Sequence, residues 1–226
     1  MPIYDRMSPD FTNGATAVKL AGFVRRAPDL PTRLGGWLFR RRTLLPLPVA
    51  LAILTLRTGQ TPPSAALTAA GVAVTLAGEA LRLWGVQHIG VISRTRSDRL
   101  GPLVASGPFA YIRNPLYVGN IAIWVGFALT ARLVWLAAVI FVVLAAEYHA
   151  IVRWEEWLLE ERLGDAYRRY AATVGRWWPF TSKDRKEGKE RKEGRGFPIA
   201  AVFFSERGTL IAIALGYLLL WTKARF

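Results

Sequence analysis

The residues best suited to chemistry fall into two groups. The first is the stretch GPFAYIRNPLYVGN, Gly107 to Asn120, where a polar turn delivers Arg113, Asn114 and Pro115 into the start of an apolar helix. Pro115 suits a first helical turn because its missing N–H has no intrahelical partner there, and Asn114 before it is a favoured N-cap. Such a helix opens with free backbone N–H groups and the positive end of its dipole, beside Arg113, Tyr111 and Tyr117, and attracts a carboxylate or phosphate. The same residues also suit a capped membrane helix with an interfacial Tyr-Arg anchor. The second group is the acidic pair Glu155 and Glu156, with His149 and Arg153 shortly before it. Taken alone, that pair reads as the solvated face of a surface helix.

The elements that position these groups are apolar. Hydrophobic residues make up 52% of the 226, with nine tryptophans, and they come in blocks, as in an integral membrane protein. The formal charge of +14 lies in the connections between the blocks, which argues against nucleic acid as a partner. The absence of cysteine removes disulfides and thiolate chemistry, and with His88 and His149 as the two histidines no metal centre is expected. The start of the chain shows no basic segment followed by an apolar run, so no cleavable signal peptide is expected.

The blocks predict an all-α polytopic membrane protein with about five transmembrane helices. Residues 1–43 form an N-terminal segment, with an interfacial stretch at Ala15 to Val24 and arginines at 25, 26 and 40–42. Leu44 to Leu56 is a short first block carrying Pro46 and Pro48, helped across by Trp37-Leu38-Phe39 and snorkelling arginines. Ala65 to about Ile89 is a second span. It carries Glu79 and Arg82 three residues apart on one face, a costly pair that implies a cavity or a packing-fixing ion pair. Pro115 to Thr130 and Leu133 to Ile151 form a tight helical hairpin. The helical period of the second continues through Trp154, Leu158 and Leu159 to a stop at Gly164, followed by a short amphipathic helix from about Asp165 to Val174.

A charged linker, residues 182–196, ends the core at 44–181 and leads into a last apolar segment, 197–226. Ser205-Glu206-Arg207-Gly208 interrupts that segment, which is either a fifth span beginning near Arg207 or an interfacial helix; the length of the final run favours the span. Lys plus Arg number eight in residues 1–43, four in 90–114 and thirteen in 152–207, but one each in 57–64 and 131–132. The positive-inside rule therefore puts the N-terminus, the 90–114 loop and the Glu155-bearing region on the cytoplasmic side.

The first stretch, read together with EEWLLEERLGDAYRRYAATVGRWWP, resembles the superfamily of isoprenylcysteine carboxyl methyltransferases and phospholipid methyltransferases. The resemblance covers roughly Leu81 to Pro179. Its first signature falls on Gly107, Pro108, Tyr111, Arg113, Asn114, Pro115, Tyr117 and Gly119. Its second falls on Glu155, Glu156, Leu159, Gly164, Tyr167, Tyr170, Arg176 and Pro179. Asn114 stands where the prenylcysteine enzymes have histidine, Leu163 where phenylalanine is common, and the segment beyond Ser182 extends past the usual end of the family.

The resemblance implies an enzyme that moves a methyl group from S-adenosylmethionine to a lipid or lipid-like acceptor. The cofactor site is expected on the cytoplasmic face of the C-terminal half, with membrane lipids as neighbours and a lipophilic acceptor entering from the bilayer. Arg113 and the N–H groups opening at Asn114 and Pro115 are expected to hold the cofactor carboxylate, and Glu155 its ammonium. Tyr111, Tyr117 and Trp177 are expected to line the adenosine slot, with Tyr167 and Tyr170 closing it. Gly119 and Arg176 complete the cofactor-binding set. Glu156, Arg153 and His149 are the candidates for assisting at the acceptor. Carboxyl O-methylation and amine N-methylation both stay open. A sterol-reductase-like enzyme using NADPH and a small transporter are the competing readings; the double-glutamate helix argues against the first, and the lack of internal repeats against the second.

Overall fold

The computed structural model describes residues 29–42, 44–90, 103–179 and 196–225. The interfacial stretch at Ala15 to Val24, most of the charged linker, and the arginines at 25, 26, 94, 96 and 99 lie outside the described residues. The described chain is helical, with α1 at Leu30–Arg41, α2 at Pro46–Thr55, α3 at Ala65–Ile89, α4 at Pro115–Thr130, α5 at Val134–Leu163, α6 at Asp165–Thr173 and α7 at Ile199–Arg225. A 3-10 turn, Gly107–Ala110, precedes α4.

Among the described residues α3, α5 and α7 are long and apolar enough to cross a membrane; α2 and α4 are shorter apolar helices. The five coincide with the five apolar blocks of the sequence. At 1.5 Å per residue α3 extends about 37 Å, more than the roughly 30 Å hydrocarbon core, whereas α4 reaches about 24 Å. The outward side chains fit a lipid environment: Val139, Phe141, Val142 and Val143 of α5 and Ile211, Leu215 and Leu218 of α7 are all exposed. In water such faces would be a large unpaid apolar surface, whereas lipid solvates them directly.

Close backbone contact between α3 and α4 is the most intimate packing in the fold. Glycines recur every seventh residue on both helices, at 71, 78 and 85 and at 119 and 126, so they line one seam. A Cβ added to Gly78 would come within 2.7 Å of the Gly119 carbonyl oxygen, and one added to Gly126 within 2.2 Å of Thr75 Oγ1. In a bilayer, where lipid is as apolar as a leucine side chain, such close van der Waals approach drives helix pairing. A second layer, α5, packs on α4, and its apolar face, including Leu133, Leu136, Ile140, Leu144 and Ile151, forms the main buried core with Ile123 and Phe127.

The helix ends away from the glutamate pair are tied by polar contacts. The α4–α5 turn is tight, with Arg132 at a positive φ of 61°. Its carbonyls at Ala131 and Arg132 accept from Gln60 Nε2 and Thr61 N, both at 2.9 Å. Lys223 Nζ at the end of α7 donates to the Ile53 and Leu56 carbonyls at 2.6 Å each.

Three features depart from the sequence expectation. The residues before the first apolar block form α1, capped by Asp29, whose carboxylate accepts from Thr32 N at 3.0 Å, with Pro31 in the first turn. The α7 helix runs unbroken through Ser205-Glu206-Arg207-Gly208, because Glu206 is turned inward onto a partner and not left to interrupt the helix. Asn114 occupies the N-cap position of α4 but makes no side-chain cap; its amide instead donates to the Arg176 carbonyl at 3.2 Å.

Because the α3–α4 seam has no room for a side chain, Gly126→Val is expected to lower stability in detergent by about 1–3 kcal/mol, read as a fall in melting temperature. Ala80→Val, on the exposed side of α3, serves as the control and should leave it unchanged. Equal effects of the two substitutions would contradict the seam.

Candidate active site

The two signature segments meet at one end of the bundle. After the 3-10 turn, Ile112 forms a parallel bridge with Gly175, and Arg113 N donates to the Gly175 carbonyl at 2.8 Å. Tyr170 Oη donates to the Phe109 carbonyl at 2.8 Å from within a small buried cluster of Tyr167, Tyr170 and Val174. The segment before α4 and the segment after α6 are thus fastened by backbone and side-chain bonds together.

Charge closes the same junction. Arg176 grips Glu156 with Nη2 at 2.6 Å from Oε2 and Nε at 3.1 Å from both oxygens, and Arg113 Nη1 lies 3.4 Å from Oε1. One carboxylate is therefore shared by two guanidiniums, a multidentate arrangement stronger than a simple surface pair. Glu156 in turn holds the Arg176 guanidinium above its usual basicity. Beside them, burial first and the Glu156 charge second push the Tyr167 hydroxyl well above the ordinary phenol range, so it stays neutral.

One residue earlier on α5, Glu155 faces α4. Its Oε1 accepts from Tyr117 Oη at 2.9 Å, and the Tyr117 ring lies 4.7 Å from that of buried Tyr148. Deeper still, Arg82 on α3 donates to Asn120 Oδ1, sits 2.6 Å from Glu206 Oε2 of α7 and 3.3 Å from Glu79 Oε2. Glu206 is 1% exposed. Tyr117 and Asn120 are three residues apart on α4, so a continuous polar line runs from Glu156 at the bundle end to Arg82 within the spans.

The expected site residues divide accordingly. Tyr117 and Glu155 are brought into direct contact, and Arg113, Arg176 and Glu156 form the ion cluster beside them. Asn114 ties the two segments, Pro115 is fully buried, and Gly119 gives Arg82 room, since a Cβ there would lie 2.6 Å from Arg82 Cγ. Trp177 is half-buried with its ring 6.4 Å from the exposed His149. The Tyr111 ring lies 6.0 Å from that of Trp84. Tyr167 and Tyr170 are packed into the small core and hold the junction. Arg153 faces α1, where it pairs with Asp29. Sequence reasoning missed Asn120 and Glu206 as the partners of Arg82. The one sequence signal for the deep cluster was the cost of Glu79 and Arg82 within a span, which demanded partners without naming them.

Fold and site together define an integral membrane protein of packed helices whose acidic, aromatic and basic side chains converge at one end of the bundle. Residues 66–166 match the family model described as phospholipid methyltransferase, a family of the isoprenylcysteine carboxyl methyltransferase-like membrane methyltransferases. It is also similar to the nickel-cobalt-cadmium resistance protein NccN of Alcaligenes xylosoxydans xylosoxydans, at 29% identity over 170 residues that cover 73% of this chain and 76% of the relative. No solved structure matches the chain.

The shared carboxylate makes Glu156 and Arg176 energetically dependent on each other. In a double-mutant cycle of Glu156→Gln and Arg176→Gln, monitored by thermal unfolding, a coupling of about 1 kcal/mol is expected, toward the low end for a partly buried pair because Arg176 is one-third exposed. Strict additivity of the two losses would show that the pair does not form.

Proposed function

We propose that the protein transfers a methyl group from S-adenosylmethionine to a membrane-borne lipid nucleophile. The observation that carries this reading is the contact of Tyr117 with Glu155, which joins the two methyltransferase signatures at one point. The residues fit the donor: a carboxylate for its ammonium, a guanidinium nearby for its carboxylate, and the Tyr117, Tyr148 and Trp177 rings for its adenosine. When bound, it supplies an electrophilic methyl group on a positive sulfur.

The protein's part is to position and to exclude water. Glu155, oriented by the Tyr117 hydroxyl, anchors the amino-acid end. Glu156 acts by holding Arg113 and Arg176, which keep the segments on either side of the site in place. The acceptor approaches between the helices, and its nucleophile forms the new bond to the methyl carbon as the carbon–sulfur bond breaks. A carboxylate acceptor needs no base; an amine acceptor must lose a proton, and His149, exposed beside Trp177, is the group we assign to take it. Arg153, paired with Asp29, supports the docking of α1 in this scheme. The charge distribution supports a donor site on the cytoplasmic face, within reach of a soluble cofactor.

Titration calorimetry on the purified chain should show binding of S-adenosylhomocysteine and none of NADPH; a reductase would give the reverse, and a transporter neither. Glu155→Gln should weaken S-adenosylhomocysteine binding about tenfold or more, corresponding to about 1.4 kcal/mol. Unchanged affinity in that variant would remove Glu155 from the site. Transfer of a radiolabelled methyl group into total lipid extract, followed by mass analysis of the labelled species, identifies the acceptor.

A further inference from the structure

We propose that the end of the bundle away from the glutamate pair binds the headgroup phosphate of an acidic phospholipid, through Arg57, Arg132 and Lys223. The run of α5 from Val134 to Glu155 separates this end from the candidate active site by about 32 Å, so the two stand in opposite leaflets. The lipid site does not depend on the function proposed above.

Three elements distant in sequence bring the cations together. Arg57 follows α2, Arg132 sits in the α4–α5 turn, and Lys223 belongs to the last turn of α7. Arg57 Nη2 donates to the Lys223 carbonyl at 3.4 Å, and Lys223 Nζ donates at 2.6 Å to the carbonyls of Ile53 and of Leu56, the residue before Arg57. Arg132 Nη1 donates to the Thr61 carbonyl at 3.4 Å, while Thr61 N donates back to the Arg132 carbonyl at 2.9 Å. The turn from Arg57 to Thr61 thus holds Lys223 at one end and Arg132 at the other. The charges of both arginines act on the Lys223 ammonium.

Within the described chain, only carbonyl oxygens answer these charges. Every hydrogen bond that the three cationic groups make among the described residues goes to a backbone carbonyl. The stretches that build this end, 44–78, 121–146 and 207–225, contain no Asp or Glu. Arg82 and Arg176, by contrast, each reach a carboxylate at 2.6 Å. A carbonyl offers a partial charge, so three full positive charges converge at the edge of a low-dielectric layer, and an anion between them offsets their repulsion. Each guanidinium uses one of its five N–H donors, at a long distance, and the rest of its planar fork matches phosphate oxygens.

The surroundings identify the carrier of that anion as a lipid. Trp135 and Trp221 are exposed at the same level; Trp135 Nε1 donates to the Thr58 carbonyl at 3.2 Å, and the Arg225 guanidinium carbon lies 5.1 Å from the Trp221 ring centroid. Tryptophans so placed mark the headgroup region. Leu51 of α2 and Leu218 and Leu219 of α7 are exposed further along the same helices, an apolar surface for acyl chains. A phospholipid fills both the charge and that surface, whereas a soluble phosphate fills the charge alone. Counted loop by loop, 57–64 and 131–132 hold one basic residue each, and only the fold joins them to the lysine of α7.

The test follows the melting temperature of the full-length chain in zwitterionic detergent micelles as phosphatidylglycerol, phosphatidylcholine or soluble glycerol phosphate is added. Phosphatidylglycerol should raise it saturably and the other two should not. Arg57→Gln combined with Arg132→Gln should raise the half-saturating phosphatidylglycerol fraction about tenfold or more. Arg162→Gln combined with Arg169→Gln, which removes the same charge at the other end of α5, should shift it by less than about twofold. Should the first pair fail to fold, Arg57→Gln alone, at an exposed position, should give a shift of about threefold or more. No stabilisation of the wild type by phosphatidylglycerol, no shift in the Arg57 variants, or equal shifts in the two double variants overturn the site. Equal stabilisation by phosphatidylcholine or by glycerol phosphate overturns the acidic lipid as its ligand.

Discussion

The close approach of α3 and α4 is the constraint on which the rest of the structure depends. Two helices whose backbones touch along a glycine seam have no freedom to rotate about their axes, because any rotation drives Cβ atoms into carbonyl oxygens. That fixed rotation turns Arg82 toward Asn120 and Tyr117 toward α5. A seam of larger side chains would move the helices apart by several ångströms and break the line of polar contacts from Arg82 to Glu155. The small residues are thus as much a part of the site as the charged ones, although none of them touches a reacting group.

Two charged groups within the bundle are each shared between two partners of opposite sign. Arg82 serves two carboxylates from different helices, and Glu156 serves two guanidiniums from different segments. In a low-dielectric interior such sharing offsets desolvation better than isolated pairs do, and losing one partner strands the other. Each cluster joins elements far apart in sequence: α3 to α7 in the first, and the turn before α4 to the chain after α6 in the second. The clusters therefore act as fasteners between parts that the hydrophobic effect cannot hold in register inside a bilayer.

The segment that matches the phospholipid methyltransferase model, residues 66–166, runs from α3 to the start of α6, yet the polar clusters draw on more of the chain. Arg176 and Gly175 come from beyond its end and Glu206 from the last helix.

Much of this was legible in the sequence for a simple reason: membrane helices advertise themselves as apolar blocks, and their ends as prolines, glycines and basic residues. Ala65 to Ile89, the start at Pro115, the stop at Gly164 and the short helix after it follow from local rules alone. The pairing of Glu79 with Arg82 is a matter of helical spacing and was equally accessible. What local rules do not contain is which faces meet. Asn114 looks like a cap, but its amide finds a carbonyl sixty-two residues away; Glu206 looks like a break in α7, but inside the bundle it finds an arginine on α3. The sequence determined the helices and the chemical types available, because those depend on near neighbours along the chain. The tertiary structure decided which charges face one another, because that depends on the rotation of each helix about its axis, which only close packing against another helix can set.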